Sequence, residues 1–420
     1  MSRLEERIRI GIVGLGWVGQ EVARAALEDG RVSLVGVADD EPTRAGRDLG
    51  EIIGEGRIGV PIDPRIEDML ARARPEVAVV CTTSDVEALG PTLETCIGHG
   101  AHVVTTCENL ADADLAMAQL PPGFDERARA AGLVVLATGI NPGFAMDRLP
   151  VMLAQATRNL RRIRVCRVVD ASTRRAQLQA KIGVGRTPAE FADALRDGGV
   201  GHAGLAASLR LVAKGLGFSL DKTSEAFSPV IADEELMSTL GPVPPGRVRG
   251  TYQIARGYRN GRELVTLELL MALGEPRPRD TIDIVGEPPL HFEGELPGDE
   301  GTVATVLSAI SVVVNMQPGL RTVLDVPLEQ PEEPATPRRS PGLLLESTQV
   351  PEPADEDESK DVRSAIKARK KAAIRKKVER RLPRPELVEE ESSNTPAGRR
   401  KQKKKGKRRP KKGRTADEQQ

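Results

Sequence analysis

The chain has 420 residues, 39% of them hydrophobic, with 61 basic and 61 acidic side chains, which is too long for one compact core and suits two domains with an appendage. No apolar run approaches the roughly 18 to 20 residues of a membrane span, and the start MSRLEERIRIGIVG lacks the pattern of a secretory signal, so a soluble, cytoplasmic protein is expected. Cys81, Cys96, Cys107 and Cys166 form no CxxC pair and stand near no histidine cluster, which excludes a zinc knuckle or disulfide framework and leaves them reduced and mostly buried.

In chain order, Ile8 to Val13 (IRIGIV) reads as a buried strand that turns through Gly14-Leu15-Gly16-Trp17-Val18-Gly19 into a helix carrying Val18, Val22, Ala26 and Leu27 at helical spacing. This is GxGxxG in the context it requires. Gly14 permits the tight turn, Gly16 lets backbone approach a pyrophosphate, and Gly19 lets helix and strand pack closely, so a dinucleotide is the implied ligand. A second strand, Val32 to Ala38, ends at Asp39 and Asp40, about 20 residues past the last glycine, where an acid for the ribose hydroxyls belongs. The acids favour NAD, while Arg44 and Arg47 close behind offer a seat for the extra phosphate of NADP, so both stay open. Three further strands follow, Val77–Val80, His102–Thr105 and Leu133–Leu136. Ligands sit beyond the carboxyl ends of parallel strands, which puts Thr82, Thr83, Glu108 and Thr138 at the nicotinamide end, with ordinary strand-end capping as the alternative for the threonines.

After Gly139 the text changes. Ile140-Asn141-Pro142-Gly143-Phe144 reads as a turn, Met146 to Ala156 as a helix, and Ile163 to Val169 as a strand. Segments near 250–256, 263–272 and 279–285 alternate as antiparallel strands do, and 299–314 reads as a helix. The fold class is therefore α/β, a Rossmann doubly wound parallel sheet over 1–145, followed by an α+β substrate and dimerisation domain over 146–328 and a disordered basic C-terminal tail over 329–420.

Four motifs in order, ATGINPGFAMD (137–147), RVVDASTRRAQLQAKIG (167–183), GHAGLAASLRLVAKGLG (201–217) and GDEGTVATVLSAISVVVNMQPGL (298–320), resemble the NAD(P)-dependent 2,4-diaminopentanoate dehydrogenases, within the broader group sharing the dihydrodipicolinate reductase N-terminal domain. The resemblance spans about Ile8 to Leu328. It implies oxidative deamination of a small diamino acid to a keto amino acid and ammonia, with reductive amination as the reverse, and it implies a homo-oligomer. The HHxxKxxxPSGT signature associated with dihydrodipicolinate reductases is absent, since His99, His102, His202 and His291 form no such pair, and no metal site is expected.

Amine oxidation needs a base, and His202, just before an amphipathic helix with Leu205, Leu209 and Val212, and Lys181, if buried by the cofactor, are the candidates. A packed histidine and a surface lysine are the plainer readings. Arg174 and Arg175 are placed to meet a substrate carboxylate, Asp170 to hold a substrate ammonium, and Asn141, with Asp147, to shape the cleft floor. His99 and His102 bracket a helix-to-strand turn that they stabilise. An NAD(P)-dependent reductase of a hydroxy or semialdehyde substrate, or a non-catalytic NAD(P)-binding protein, fits the same glycine motif.

The neutral total conceals a division of charge. Residues 331–420 hold 26 basic and 16 acidic side chains, while 1–330 hold 35 and 45. Residues 360–382 could form a basic helix, and the run from Arg399 to Arg414 would contact nucleic acid or another polyanion nonspecifically, unless it pairs with the acidic body.

Overall fold

The structure, a computed structural model, describes residues 7–328 and 388–392. Its first sheet takes strands β1 (Ile8–Val13), β2 (Val32–Ala38), β3 (Ile62–Asp63), β4 (Val77–Val80), β5 (His102–Thr105) and β6 (Val134–Ala137). All run parallel, in the order β6-β5-β4-β1-β2-β3. Val77 to Val80 are fully buried, as an apolar run covered on both faces by crossover helices must be. Those helices include Trp17–Glu28, Ile66–Ala73, Val86–Gly98 and Phe124–Ala130. In the first of them Val22 and Ala26 are buried as the spacing predicts, whereas Leu27 is 42% exposed and lies off the apolar stripe.

The second sheet is built on β7 (Arg158–Asp170), β8 (Lys222–Ile231), β11 (Val248–Arg259), β12 (Arg262–Ala272), β13 (Arg279–Glu287) and β14 (Leu290–Gly294), with a small ribbon, β9 (Leu236–Ser238) and β10 (Gly241–Val243), beside it. The order is β14-β13-β7-β12-β11-β8. The strands expected to be antiparallel are so except at one place: β12 runs parallel to β7, the strand that enters from the first half. Helices Arg148–Ala154, Ala176–Lys181, Pro188–Arg196 and Leu205–Gly215 occupy the long connections, the third started by a capping box between Thr187 and Glu190.

A linear division at 145 and 146 does not describe the packing. Helix Asp299–Val313 and strand β15 (Gly319–Arg321) return to the first half: β15 extends the first sheet beside β6, and Val306, Ile310 and Val313 pack in its core. The residues that make 299–314 helical are also apolar enough to seek the larger core. Helix Leu205–Gly215 lies between the halves, giving Ala207 and Leu211 to the first core and Leu205, Leu209 and Val212 to the second.

Of the segment expected to be a disordered tail, only Val388–Ser392 is described. It forms β16, antiparallel to β8 and pairing Val388 with Phe227 through Ser392 with Thr223, on an edge whose backbone groups would otherwise lack a strand partner. The expected helix over 360–382 and the cationic run over 399–414 lie outside the described residues. Among the described residues no helix is long and apolar enough to cross a membrane.

Candidate active site

Beyond the carboxyl ends of β1, β4, β5 and β6 a cavity of about 380 Å³ opens between the halves. One wall is the glycine loop. Gly14 has a φ of +88°, and a Cβ there would sit 2.8 Å from Thr82 Cγ2, while a Cβ on Gly19 would run into the Gly14 carbonyl oxygen. Both positions therefore demand glycine. Gly16 differs: a Cβ there meets nothing within 4 Å, so the space above it is open to a ligand. Gly16, Trp17 and Val18 line the cavity, and the helix that begins at Trp17 has no side-chain cap, which leaves its first N–H groups for an anion. These residues fit a dinucleotide pyrophosphate.

Asp39 is where the ribose acid belongs, nearly buried at the end of β2. Its carboxylate accepts the Leu15 N–H at 2.6 Å and an Arg44 N–H at 3.1 Å, and Arg44 also donates to the Leu15 carbonyl. Thr82, Thr83 and Thr138 line the cavity, and the Thr83 hydroxyl also accepts the Asp85 N–H at the start of helix Val86–Gly98.

Glu108 organises the centre. It begins a short 3-10 turn after β5, and one carboxylate oxygen accepts hydrogen bonds from Lys181 Nζ and Ser84 Oγ, each at 2.8 Å. Its other oxygen lies 3.8 Å from His202 Nδ1. Burial alone would raise the Glu108 pKa, but His202, Lys181 and the two hydrogen bonds outweigh it and hold the carboxyl below its ordinary range. His202 is pushed the other way by burial, which disfavours its charged form, with Glu108 opposing in part. Lys181 itself is not buried: its side chain is 34% exposed.

Local sequence explains how His202 is held. The Gly204 Cα lies against Pro142, with a φ of +91°, and a Cβ there would come within 2.7 Å of the proline ring. The His202 N–H donates to Gln253 of β11, which returns a bond to the His202 carbonyl. Its Nε2 lies 3.1 Å from the Asn141 carbonyl oxygen and 3.2 Å from Asn141 Nδ2. Asn141 Oδ1 is buried without a hydrogen-bond partner. Asp147 is fully buried and accepts from the Gly143 and Arg148 N–H groups and the Ser208 hydroxyl, tying the Asn-Pro-Gly turn to helix Leu205–Gly215.

Among the candidates for substrate contact, Asn141, Arg174 and Arg175 line the cavity and Asp170 does not. Asp170 accepts from Ser172 and from the Gly274 N–H, stabilising the turn after β7, so its carboxylate serves the fold. Arg174 lies 3.9 Å from both Asp299 and Glu300, and its guanidinium fills the space a Cβ on Gly298 would need. Sequence reasoning missed Ser84, Asp299 and the buried pair Arg167–Asp280, at 3.0 Å, from which Arg167 also donates to the Pro297 carbonyl. The signal was an arginine inside the apolar run Val165 to Val169. Cys81 and Cys107 face the cavity, but burial pushes their thiols up to about 12 and 11, so neither is a nucleophile near neutral pH. His102 accepts the Val134 N–H across β5 and β6, and His99 meets the Thr95 carbonyl, as turn and strand stabilisers.

Residues 144–334 match the 2,4-diaminopentanoate dehydrogenase C-terminal domain, and residues 8–118 match the dihydrodipicolinate reductase N-terminus. A 2,4-diaminopentanoate dehydrogenase of Acetoanaerobium sticklandii is 26% identical over 77% of this chain and 94% of its own. An amine dehydrogenase of Streptomyces virginiae is 26% identical over 75% and 95%. The solved amine dehydrogenase of Mycobacterium smegmatis superposes with a TM-score of 0.69 at 25% identity, covering 78% of this chain and 98% of the other.

Proposed function

From the premise that the chain carries a 2,4-diaminopentanoate dehydrogenase C-terminal domain behind a dihydrodipicolinate reductase N-terminus, we propose that it is an NAD(P)-dependent dehydrogenase that oxidises the CH–NH2 group of a small amino or diamino acid and releases ammonia. The observation that carries this reading is Glu108, hydrogen-bonded to Lys181 at 2.8 Å and 3.8 Å from His202, in the same cavity as the open face of Gly16. Bound there, the nicotinamide supplies the hydride acceptor. A substrate amine arrives protonated and cannot release hydride until it is neutral, so Glu108 takes that proton. Glu108 passes that proton to solvent, and once the carbon has become an iminium the carboxylate takes a proton from the adding water and returns it to the nitrogen, so that the ketone and ammonia leave.

Glu108 thus assumes the base role that the sequence assigned to Lys181 or His202. Lys181 and His202 lie 2.8 and 3.8 Å from the Glu108 carboxylate, and both act by positioning it. Arg174 receives the substrate carboxylate, and the unpartnered Asn141 Oδ1 accepts from the substrate ammonium. Asp39 binds the ribose hydroxyls of NAD, and Arg44, now on Asp39, turns to the 2′-phosphate when NADP binds. The homo-oligomer implied by the resemblance is checked by light scattering.

The test is a survey of amino and diamino acids with NAD and with NADP, following reduced nicotinamide and ammonia together. Equal release of both supports the reading, whereas cofactor reduction without ammonia would show that a hydroxyl is oxidised instead. In Arg174→Ala, KM for a carboxylate-bearing substrate should rise about 10- to 100-fold, the equivalent of one charge-assisted contact. An amine lacking the carboxylate should be handled as before.

A further inference from the structure

The wall opposite the glycine loop holds a cation that has no carboxylate partner. Arg175 precedes helix Ala176–Lys181, and its guanidinium carbon lies 5.4 Å from the centroid of the Trp17 ring. Its Nε is buried without a hydrogen-bond partner. The neighbouring arginines are all engaged: Arg174 near Asp299, Arg167 on Asp280, Arg44 on Asp39. Among the described residues no carboxylate forms a salt bridge with Arg175.

We propose that Arg175 binds the dinucleotide pyrophosphate, reaching across the cavity from the second half and resting on Trp17. This deepens the reading above and rests on it. Trp17 is the first residue of the helix behind Gly16, and in this strand-glycine-helix arrangement the pyrophosphate lies against that first turn. The first turn of the helix offers N–H groups but no cation, its Arg24 lying farther along and paired with Glu21, and no basic side chain stands in the loop itself from Gly14 to Gly19. Arg175 supplies the missing charge at the right end of the cavity. A guanidinium is the cation suited to this place, because it can lie flat on an aromatic face and still present N–H groups in its plane to phosphate oxygens. The assignment also separates two adjacent arginines: Arg174, beside Asp299 and Gly298, is left for the substrate, and Arg175, on Trp17, is given to the cofactor.

A consequence follows from the other end of the same six-residue helix, which is Lys181, the partner of Glu108. A pyrophosphate held by Arg175 secures that helix against the first half, and with it the Lys181–Glu108 pair already formed at 2.8 Å.

Trp17 is the only tryptophan of the chain, so its emission reports on this place directly. The full chain, unaltered and as Arg175→Ala and Arg175→Lys, is titrated with NAD, ADP-ribose and adenosine, by calorimetry and by tryptophan fluorescence. Arg175→Ala should bind NAD and ADP-ribose about 10- to 100-fold more weakly, with adenosine unchanged and Arg175→Lys between the two. Unaltered ADP-ribose affinity in Arg175→Ala overturns the assignment alone, as does a rise confined to KM of a carboxylate-bearing amine. Failure of the unaltered protein to bind any dinucleotide overturns the underlying reading and the assignment with it.

Discussion

The glycine-loop wall of the cavity is contributed by three consecutive residues, Gly16 to Val18, whereas the facing wall is side chains gathered from Glu108, Lys181, His202 and Asp299. The first wall recognises a ligand shared by many enzymes and needs only local chain geometry. The second must bring an ammonium to 2.8 Å and an imidazole to 3.8 Å from one carboxylate across separate elements, and that placement depends on tertiary packing. Binding and chemistry are therefore separable here by substitution.

The sharpest separation is between Glu108→Gln and Gly16→Ala. Glu108→Gln should lower turnover roughly 100- to 10,000-fold, the usual range for loss of a general base, with dinucleotide affinity close to unaltered. Gly16→Ala should do the opposite. Its Cβ meets nothing in the protein, so thermal stability holds while the methyl intrudes on the pyrophosphate and dinucleotide affinity falls at least about tenfold. Comparable turnover in Glu108→Gln would remove Glu108 from the chemistry.

The second wall rests on Arg167, buried with Asp280 and bonded to the chain just before helix Asp299–Val313. Replacing Arg167 by Ala strands a buried carboxylate and should cost about 3 to 5 kcal/mol of stability, read by denaturant unfolding. The double change Arg167→Met with Asp280→Leu should recover most of that loss, because well-packed apolar pairs often replace buried ion pairs without penalty. A double variant as unstable as the single one would mean that the bonds to the 296–297 carbonyls, and not the stranded charge, dominate.

The two walls also differ in how far they could be read from sequence. The glycine loop, β2, β4 and β5 were legible because strand, turn and helix signals lie within a few residues of each other. Asp170 misled because a carboxylate at a strand end is equally suited to capping a turn, and only the Gly274 N–H, about a hundred residues later, reveals which use it has. Glu108 was recognised as lining the cavity, but its ion pair with Lys181 crosses 73 residues and leaves no local pattern. The return of helix Asp299–Val313 to the first core was hidden for the same reason: its apolar residues declare that it is buried, but not in which core.

The smallest effect compares a histidine in the first sheet with the one that lines the cavity. His102 in the first sheet and His202 beside the site both have pKa values lowered from 6.5, in each case chiefly by burial, with Glu76 opposing for His102 and Glu108 for His202. The sign follows from proton counting. The unfolded chain protonates these imidazoles near pH 6.5 and the folded chain only at lower pH, so the unfolded state binds more protons and stability falls as pH drops below that value. Lys181 and Arg167 reinforce the effect at His202, since both are cations that disfavour a third. At His102, protonation would cost the hydrogen bond that Nδ1 accepts from Val134. Thermal unfolding followed from neutral to mildly acid pH should therefore slope downward in the unaltered protein and less steeply in His102→Gln and in His202→Gln. Only His202→Gln should also alter the pH profile of turnover, because only His202 faces Glu108; an altered profile in His102→Gln would mean that the first sheet takes part in the chemistry after all.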